Sequence, residues 1–277
     1  MADTIIITGA SSGIGKEMAR ELAKKGAKLI LTGRNREKGE DVVSEIRSEM
    51  PEASVDMLYG DFSEKKEIET LAESIKQKTN SVNILFNNAG GFFPSRTLNS
   101  DGLEMTFAVN HLGYFYFTHL LMDLLSAESP ARVLNTSSKA HFSAKPDLSD
   151  INFEKSSYNG WKSYSSSKLY NLLFTYEFVR RFSGSGITMN AFHPGVIATD
   201  IVRNVFFPVP QLWKLFSKSV KDGAKGGLYL AGPEGAKFNG KFFDGTKEKK
   251  SSPISCSREK ARELWEISER LCGIQWS

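Results

Sequence analysis

A short apolar strand that runs directly into a glycine-rich turn is the feature that most constrains this fold. Residues 4–8 read Thr-Ile-Ile-Ile-Thr, a β-branched run typical of a buried strand. The turn that follows leads into Gly13–Lys25, an amphipathic stretch that predicts a helix. Glycines at such a junction let a phosphate group approach the backbone N–H groups of the helix N-terminus. The segment therefore favours a dinucleotide-binding unit, with a purely structural turn as the alternative.

The same alternation of strands and helices continues along the chain. Predicted strands cover Thr4–Thr8, Lys28–Thr32, Ser54–Tyr59, Val82–Asn87, Arg132–Thr136 and Ile187–His193, with a seventh near Lys241–Phe243. Predicted helices cover Gly13–Lys25, Arg36–Met50, Glu64–Lys78, Gly102–Ser126, Trp161–Phe182 and Lys221–Leu230. Many strand runs are apolar throughout, which is typical of a sheet covered on both faces. The pattern predicts one α/β domain over residues 1–277, a Rossmann-type doubly wound parallel sheet flanked by helices.

Composition and charge exclude several classes of protein. The 36 Lys and Arg are interspersed with 32 Asp and Glu, so the net charge of +4 forms no nucleic-acid-binding stripe. The two cysteines, Cys256 and Cys272, indicate a reducing compartment. The four histidines lack metal-binding spacing, and the longest apolar stretch, near 114–125, is shorter than the roughly 20 residues that span a bilayer. No targeting segment is recognisable, so we expect a cytoplasmic protein without a transmembrane helix.

Six motifs, in order along the chain, resemble the short-chain dehydrogenase/reductase family. They are Thr8–Gly15, Asn87-Asn88-Ala89-Gly90, Asn110 within Phe-Ala-Val-Asn-His, Ser137-Ser138, the YxxxK of Tyr164 and Lys168, and His193-Pro194-Gly195. Further stretches resemble the retinol-dehydrogenase-like branch of that family: Asn152–Glu154, Tyr158–Trp161, Ser167–Leu169 and Glu263–Ser268. Many members of that branch carry an N-terminal membrane helix, which we do not expect in this protein.

The resemblance implies a catalytic set of Asn110, Ser138, Tyr164 and Lys168. Tyr164 would exchange a proton with the substrate oxygen, and Ser138 would polarise that oxygen. Lys168 lies four residues after Tyr164, so on a helix the two share a face. At about 5 Å and an effective dielectric of about 20 their attraction is roughly 3 kcal/mol, which would lower the pKa of Tyr164 by about two pH units. Asn110 would support a relay water, with a helix–helix hydrogen bond as the alternative.

The choice of cofactor depends on the end of the second strand. Arg34 stands where an acidic residue would grip a free ribose 2′-hydroxyl, and a guanidinium suits a 2′-phosphate instead. NADP(H) is therefore the expected cofactor. The resemblance assigns Asp61 to the adenine, with a helix N-cap as its alternative. The other expected cofactor contacts are Gly9, Ser11, Ser12, Gly13, Ile14, Gly15, Phe62, Asn88, Ala89, Gly90, Tyr164, Lys168, Pro194, Gly195, Val196 and Thr199.

An aromatic segment near the C-terminal third predicts the nature of the substrate. Residues 201–222 correspond to the variable substrate lid of the family, and their aromatic side chains indicate an apolar small molecule. We expect an NADP(H)-dependent oxidoreductase that interconverts a carbonyl and an alcohol on a retinoid-like, steroid or lipid substrate. A catalytically silent NADP-binding regulatory or scaffold protein is the alternative. Peripheral membrane contact and a homo-oligomer are left open. His141 is expected to pack in the interior or to lie at the surface, with the edge of the substrate cleft as the alternative.

Overall fold

A mainly parallel sheet carries the fold in the computed structural model, which describes residues 2–127, 130–195 and 219–276. Its strands run in the order β3-β2-β1-β4-β5-β6-β7-β8, and the β7–β8 pair is antiparallel. Their bounds are β1 Thr4–Ile7, β2 Lys28–Gly33, β3 Val55–Tyr59, β4 Ile84–Asn87, β5 Ala131–Thr136, β6 Ile187–His193, β7 Phe242–Asp244 and β8 Lys247–Lys249. The strand predictions and the doubly wound sheet are confirmed. β8 escaped prediction because it is a short, exposed Lys-Glu-Lys edge.

The order of the strands creates a crevice beside β1. β1 pairs with β2 on one side and with β4 on the other, with Ile7 opposite both Leu31 and Phe86. The chain thus winds outward in two directions from this point, and the carboxyl ends of β1 and β4 open into the gap between the two halves. Ligands of doubly wound sheets bind at such a switch point.

Helices cover both faces of this sheet. They are α1 Gly13–Ala23, α2 Arg36–Glu49, α3 Lys65–Lys76, α4 Met105–Phe107, α5 Gly113–Leu120, α6 Met122–Ala127, α7 Gly160–Arg181, α8 Val220–Ala231 and α9 Arg258–Cys272. The prediction of one continuous helix over Gly102–Ser126 is wrong. A π-helical segment, Ala108–Leu112, separates α4 from α5, and the backbone leaves helical geometry again at Leu121. The amphipathic helix α9 was not predicted.

Two apolar layers hold the sheet between the helices. Side chains alternate across a strand, so Ile5 and Ile7 pack on α1, α2 and α8, whereas Ile6 packs on the opposite side against α3, α5 and α7. This explains why the strands are apolar at consecutive positions. Within the described part of the chain, no helix combines the length and the hydropathy needed to cross a membrane.

Candidate active site

Two glycines shape the loop between β1 and α1. Gly9 has a φ of +65°, and a Cβ at this position would lie 2.7 Å from the Cα of Ala89. A Cβ on Gly15 would lie 2.5 Å from the carbonyl oxygen of Gly9 and 2.8 Å from Nδ2 of Asn88. Real Cβ atoms do not approach other atoms this closely. The first glycine therefore permits the turn, and Gly15 permits close packing of α1 against the loops.

The first turn of α1 is open to an anion. Ser12 occupies its N-cap position but makes no side-chain cap hydrogen bond, and the first turn contains no acidic residue. By contrast, Asn35 caps α2 and Asn159 caps α7 by accepting backbone N–H groups. An uncapped helix start presents N–H donors and the positive end of the helix dipole. This arrangement fits the pyrophosphate of a dinucleotide at the predicted positions Ser11, Ser12, Gly13, Ile14 and Gly15.

Thr8 joins the loops that follow β1 and β4. Its hydroxyl donates to the carbonyl oxygen of Phe86 at 3.2 Å and accepts the backbone N–H groups of Asn88 at 2.8 Å and Ala89 at 2.9 Å. Nδ2 of Asn88 donates in return to the carbonyl oxygen of Thr8 at 2.9 Å. Sequence reasoning assigned no role to Thr8. The feature of the sequence that could have indicated this role is the position of Thr8, directly between the Ile5–Ile7 run and the glycine-rich turn.

Asn110 fixes the next part of the β4 loop. Its Oδ1 accepts the N–H of Gly91 at 2.8 Å, and its Nδ2 donates to the carbonyl oxygen of Gly91 at 2.9 Å and to Oγ of Ser167 at 3.0 Å. The helix–helix hydrogen bond is thus present. A Cβ on Gly90 would lie 3.1 Å from Oδ1 of Asn110 and 3.6 Å from Nζ of Lys168. Glycine at position 90 therefore leaves open space between these two groups.

The two serines after β5 point in different directions. Oγ of Ser137 donates to the carbonyl oxygen of Lys168 at 2.7 Å and is buried against α7. Ser138 begins the 3-10 turn Lys139–Ser143, and its Oγ accepts the backbone N–H of Ala140 at 3.2 Å. Because this N–H occupies a lone pair of the oxygen, the hydroxyl proton of Ser138 is free to be donated elsewhere.

Tyr164 and Lys168 share a face of α7, as predicted, but their pKa values do not follow the sequence expectation. Nζ of Lys168 lies 5.5 Å from the centre of the Tyr164 ring. Burial raises the pKa of Tyr164 to about 12, and a hydrogen bond with Ser138 opposes this rise. Burial lowers the pKa of Lys168 to about 8. The expected lowering of the Tyr164 pKa is wrong for the protein alone, because desolvation outweighs the charge attraction.

Arg34 and Asp61 lie together at the carboxyl ends of β2 and β3. Arg34 Nη1 contacts Oδ2 of Asp61 at 3.2 Å, and 75% of the Arg34 side chain stays exposed. Hydrogen bonds from Ser63 and Arg34 lower the pKa of Asp61, although burial opposes them. The side chain of Phe62 is buried and packs edge-on against Phe117 with ring centres 5.1 Å apart. The ring of Phe62 therefore packs in the hydrophobic core.

The remaining predicted residues follow β6. Pro194 and Gly195 lie directly after His193 at the carboxyl edge of the sheet, and Gly195 has a φ of +102°. Val196 and Thr199 lie outside the described residues, as does most of the predicted lid at 201–222. The sheet thus brings six loops to one edge, those after β1 to β6, and each carries predicted site residues.

Aromatic rings flank Tyr164. The ring centre of Phe92 lies 5.8 Å from that of Tyr164, and the ring centre of Trp161 lies 6.0 Å from it. Trp161 and Phe142 are more than half exposed, with accessible fractions of 53% and 55%. Trp161 was not among the residues predicted for the site. In the described ranges, no group of three acidic, Cys or His side chains could hold a metal ion.

This fold and this site define an oxidoreductase of the dinucleotide-binding type, and comparisons with known proteins give the family. The family model for short chain dehydrogenases matches residues 3–207. Retinol dehydrogenase 13 of Homo sapiens is 41% identical over 282 residues, which cover 98% of this chain and 85% of the relative. Retinol dehydrogenase 12 of Mus musculus is 41% identical over 276 residues, or 98% of this chain and 87% of the relative.

Solved structures share the whole architecture. An uncharacterised protein from Mycobacterium paratuberculosis superimposes with a TM-score of 0.81 and 30% identity, covering 99% of this chain and 95% of its own. A 7α-hydroxysteroid dehydrogenase complexed with NADH has a TM-score of 0.72 at 24% identity, covering 87% of this chain and 92% of its own. The second likeness shows the fold alone. The chain belongs to the short-chain dehydrogenase/reductase family and to its retinol-dehydrogenase-like branch, and it acts on the CH–OH group of its substrate.

Proposed function

We propose that this protein is an NADP(H)-dependent oxidoreductase in which Tyr164, Ser138 and Lys168 interconvert a carbonyl and an alcohol on an apolar small molecule. The observation that carries the proposal is the meeting of these three side chains at the carboxyl edge of the sheet, the same edge at which α1 begins without a side-chain cap. A bound nicotinamide would supply the hydride to the carbonyl carbon or accept it from the alcohol. Proton transfer and alignment belong to the chain's own residues.

Each of the three side chains has a distinct task in reduction. The raised pKa of Tyr164, about 12, keeps its phenol protonated at neutral pH and ready to donate to the substrate oxygen. The hydroxyl of Ser138, which hydrogen-bonds Tyr164 in the protein alone, would donate to the same substrate oxygen and stabilise the charge that develops on it. Lys168, buried and within 5.5 Å of the phenol ring, stabilises the phenolate that remains after proton transfer. In oxidation the same steps run in reverse.

Asn110 supports this arrangement from behind the loop. Its amide holds both the N–H and the carbonyl of Gly91, next to the open space at Gly90 that Lys168 also borders. We assign it the placement of the β4 loop, and with it of any relay water between the loop and the lysine. The hydrogen bond to Ser167 connects this loop to the residue that precedes Lys168.

The preference for NADP(H) rests on charge at the end of β2. The exposed guanidinium of Arg34 matches a 2′-phosphate, and no acidic residue stands at this position to bind a free 2′-hydroxyl. The fold accepts both cofactors, because related structures include one complexed with NADH and an NADPH-dependent reductase of 23% identity. We therefore assign the choice of cofactor to residue 34.

The apolar substrate is inferred from the walls of the site and from the relatives. Phe92 and Trp161 flank the proton donor, and the relatives at 41% identity are retinol dehydrogenases. A retinoid-like aldehyde, a steroid or a lipid aldehyde or ketone fits such walls. A silent NADP-binding scaffold would not require Ser138, Tyr164 and Lys168 to meet.

Turnover by a Tyr164→Phe variant tests the proposal. Oxidation of NADPH is followed with retinaldehyde, a steroid ketone and short aldehydes, for the wild type and the variant. Loss of a positioned general acid lowers kcat by about 10²–10⁴-fold, while NADPH still binds. Tyr170→Phe, on the same helix, controls for removing a buried phenol hydroxyl. Unchanged turnover in Tyr164→Phe, or a wild type that reduces none of the panel, contradicts the proposal.

A further inference from the structure

A buried histidine bonds to the chain on both sides of its ring, close to the proposed substrate-orienting serine. His141 lies three residues after Ser138 and is fully buried. Its Nδ1 lies 2.5 Å from the carbonyl oxygen of Ser138. Its Nε2 accepts the backbone N–H of Ser252 at 3.1 Å. The imidazole thus connects the turn after β5 to a segment more than a hundred positions away in the chain.

The two partners fix the protonation state of the ring. A backbone N–H can only donate, so Nε2 of His141 must carry a lone pair towards Ser252. A backbone carbonyl can only accept, so Nδ1 must carry the proton towards Ser138. The neutral Nδ1–H tautomer satisfies both contacts. An imidazolium would place its Nε2–H opposite the backbone N–H of Ser252, so that two donors would face each other. Burial acts in the same direction, because it lowers the pKa of His141.

Apolar rings hold the imidazole in this orientation. The ring centre of Phe242, on β7, lies 5.0 Å from that of His141 in an edge arrangement, and the ring of Phe142 lies 4.1 Å away. The far end of the connection is also fixed, because the hydroxyl of Tyr176 on α7 hydrogen-bonds Oγ of Ser251 at 2.7 Å. Because the ring of His141 and the two segments it joins are all held in place, the ring keeps the turn after β5 in a fixed position relative to the segment that contains Ser252.

The contacts of Ser138 explain what this position determines. Its carbonyl oxygen accepts the backbone N–H of His141 at 3.1 Å as well as the ring Nδ1–H, and its Oγ accepts the N–H of Ala140. The backbone of Ser138 is therefore held on its carbonyl side by the His141 ring. A shift of the Ser138 backbone would move its hydroxyl relative to the phenol of Tyr164, with which it hydrogen-bonds.

We infer that His141 is a positioning residue that, through its Nδ1–H bond to the Ser138 carbonyl and its Nε2 bond to Ser252, aims the Ser138 hydroxyl at the substrate oxygen. The inference rests on the function proposed above for Ser138. It adds a residue that acts through Ser138 without touching substrate or cofactor. It also gives the Ser251–Cys256 segment a role as the outer support of the active site.

Two substitutions separate the two hydrogen bonds of the ring. His141→Asn places an amide where Nδ1 stands and keeps a donor for the Ser138 carbonyl. His141→Gln places an amide where Nε2 stands and keeps an acceptor for Ser252 but loses the donor to Ser138. We expect kcat to fall about tenfold or more in the Gln variant and less than about threefold in the Asn variant, since one such bond is worth roughly a factor of ten.

The kinetic split distinguishes positioning from a general loss of structure. The KM for NADPH is expected to stay unchanged in both variants, and circular dichroism melts check that both are folded. His119→Gln, which makes the same exchange at a histidine of α5 that packs on Trp276, serves as the control with wild-type kcat. Equal kcat losses in the Asn and Gln variants, or none in the Gln variant, overturn the inference while wild-type turnover leaves the proposed function standing. A wild type that reduces no carbonyl overturns the proposed function first.

The tautomer of His141 provides a readout that does not depend on activity. In protein with ¹⁵N-labelled histidine, the His141 resonances are assigned by their disappearance in the Asn variant. Nδ1 is expected to be protonated and Nε2 unprotonated at neutral pH. A protonated Nε2 would mean that the Ser252 N–H is not accepted there, and the inference would be overturned.

Discussion

Lys168 points its ammonium group at the ring of Tyr164 from 5.5 Å and hydrogen-bonds the carbonyl oxygen of Thr136 at 3.4 Å. The same carbonyl accepts Nδ2 of Asn171 at 3.1 Å, so the lysine shares its neutral acceptor with an amide. No carboxylate in the described part of the chain forms an ion pair with Lys168. Burial therefore acts almost unopposed on its pKa.

Replacing Lys168 should change how stability depends on pH. Its pKa falls from 10.5 in the unfolded chain to about 8 in the fold, so the folded state releases its proton first as the pH rises. The wild type should therefore gain about 2 kcal/mol of unfolding free energy relative to Lys168→Met between about pH 7 and about pH 9.5. Urea unfolding of cofactor-free protein at both pH values measures this.

Lys162→Met, on the same helix, controls for the loss of a lysine elsewhere on α7. The comparison is made as a difference between variants because ionising tyrosines affect all of them alike. Parallel pH profiles for the wild type and Lys168→Met would show that the lysine is not desolvated in the fold, and the account of its pKa would fail.

Exchanging the charge at residue 34 should separate the two cofactors. Arg34→Asp replaces a cation that suits a 2′-phosphate by an anion that repels it, and it also removes the partner of Asp61. We expect the KM for NADPH to rise by about 10–100-fold, because a hydrogen bond to a charged group is worth about 1.5–3 kcal/mol. The KM for NADH should change less than about threefold. Steady-state kinetics with both cofactors measure this difference.

Arg36→Asp is the matched control. The guanidinium of this neighbouring arginine lies 4.4 Å from the centre of the Tyr59 ring, whereas Asp61 pairs with Arg34. Its effect on both cofactors should be small and equal. If Arg34→Asp raised the two KM values in parallel, residue 34 would act through the general shape of the loop, and the 2′-phosphate assignment would be wrong.

Strand and helix positions were predictable because each depends on a local pattern. The apolar runs of β1, β2 and β6 indicate strands that are buried on both faces of a sheet. In a parallel sheet, the loops that follow the carboxyl ends of such strands lie at the same edge. The break at Ala108–Leu112 was not predictable, because the apolar periodicity continues through it. That break follows from tertiary hydrogen bonds, among them those of Asn110 to Gly91 and Ser167.

Spacing placed Tyr164 and Lys168 on one face, but it could not give their pKa values. The four-residue interval fixes the distance between the two side chains on a helix. From that distance only the attraction between their charges can be calculated. The desolvation that dominates comes from elements far away in the chain, including β5 and the loop after β4. The contacts of Thr8, His141 and Asn171 were not predicted, because their partners also lie far away in the chain.

Removing the hydroxyl of Thr8 should loosen the cofactor loops. Thr8→Val keeps the shape of the side chain but leaves the N–H groups of Asn88 and Ala89 without their acceptor. We expect a loss of about 1–3 kcal/mol in unfolding free energy, the usual cost of unpaired donors. Urea unfolding measures the loss, and a fluorescence titration should show weaker NADPH binding. Thr8→Ser, which keeps the hydroxyl, should behave as wild type; equal losses in both variants would mean that the methyl group matters instead.

Truncating Trp161 should reveal whether the rings beside Tyr164 bind substrate. The indole is 53% exposed and lies one helical turn before Tyr164, so it has open surface to cover with a ligand. Burying about 80 Å² of apolar area there would contribute roughly 2 kcal/mol, so Trp161→Ala should raise the KM for retinaldehyde by about tenfold or more. A short aldehyde such as propanal has little apolar surface to bury against the indole, so its KM and kcat should stay near the wild-type values. Trp161→Phe keeps an aromatic face and should restore most of the affinity for the long substrate. Equal changes for long and short aldehydes would instead mean that the indole acts by supporting Tyr164, because only a wall that touches the distal part of the substrate discriminates by length.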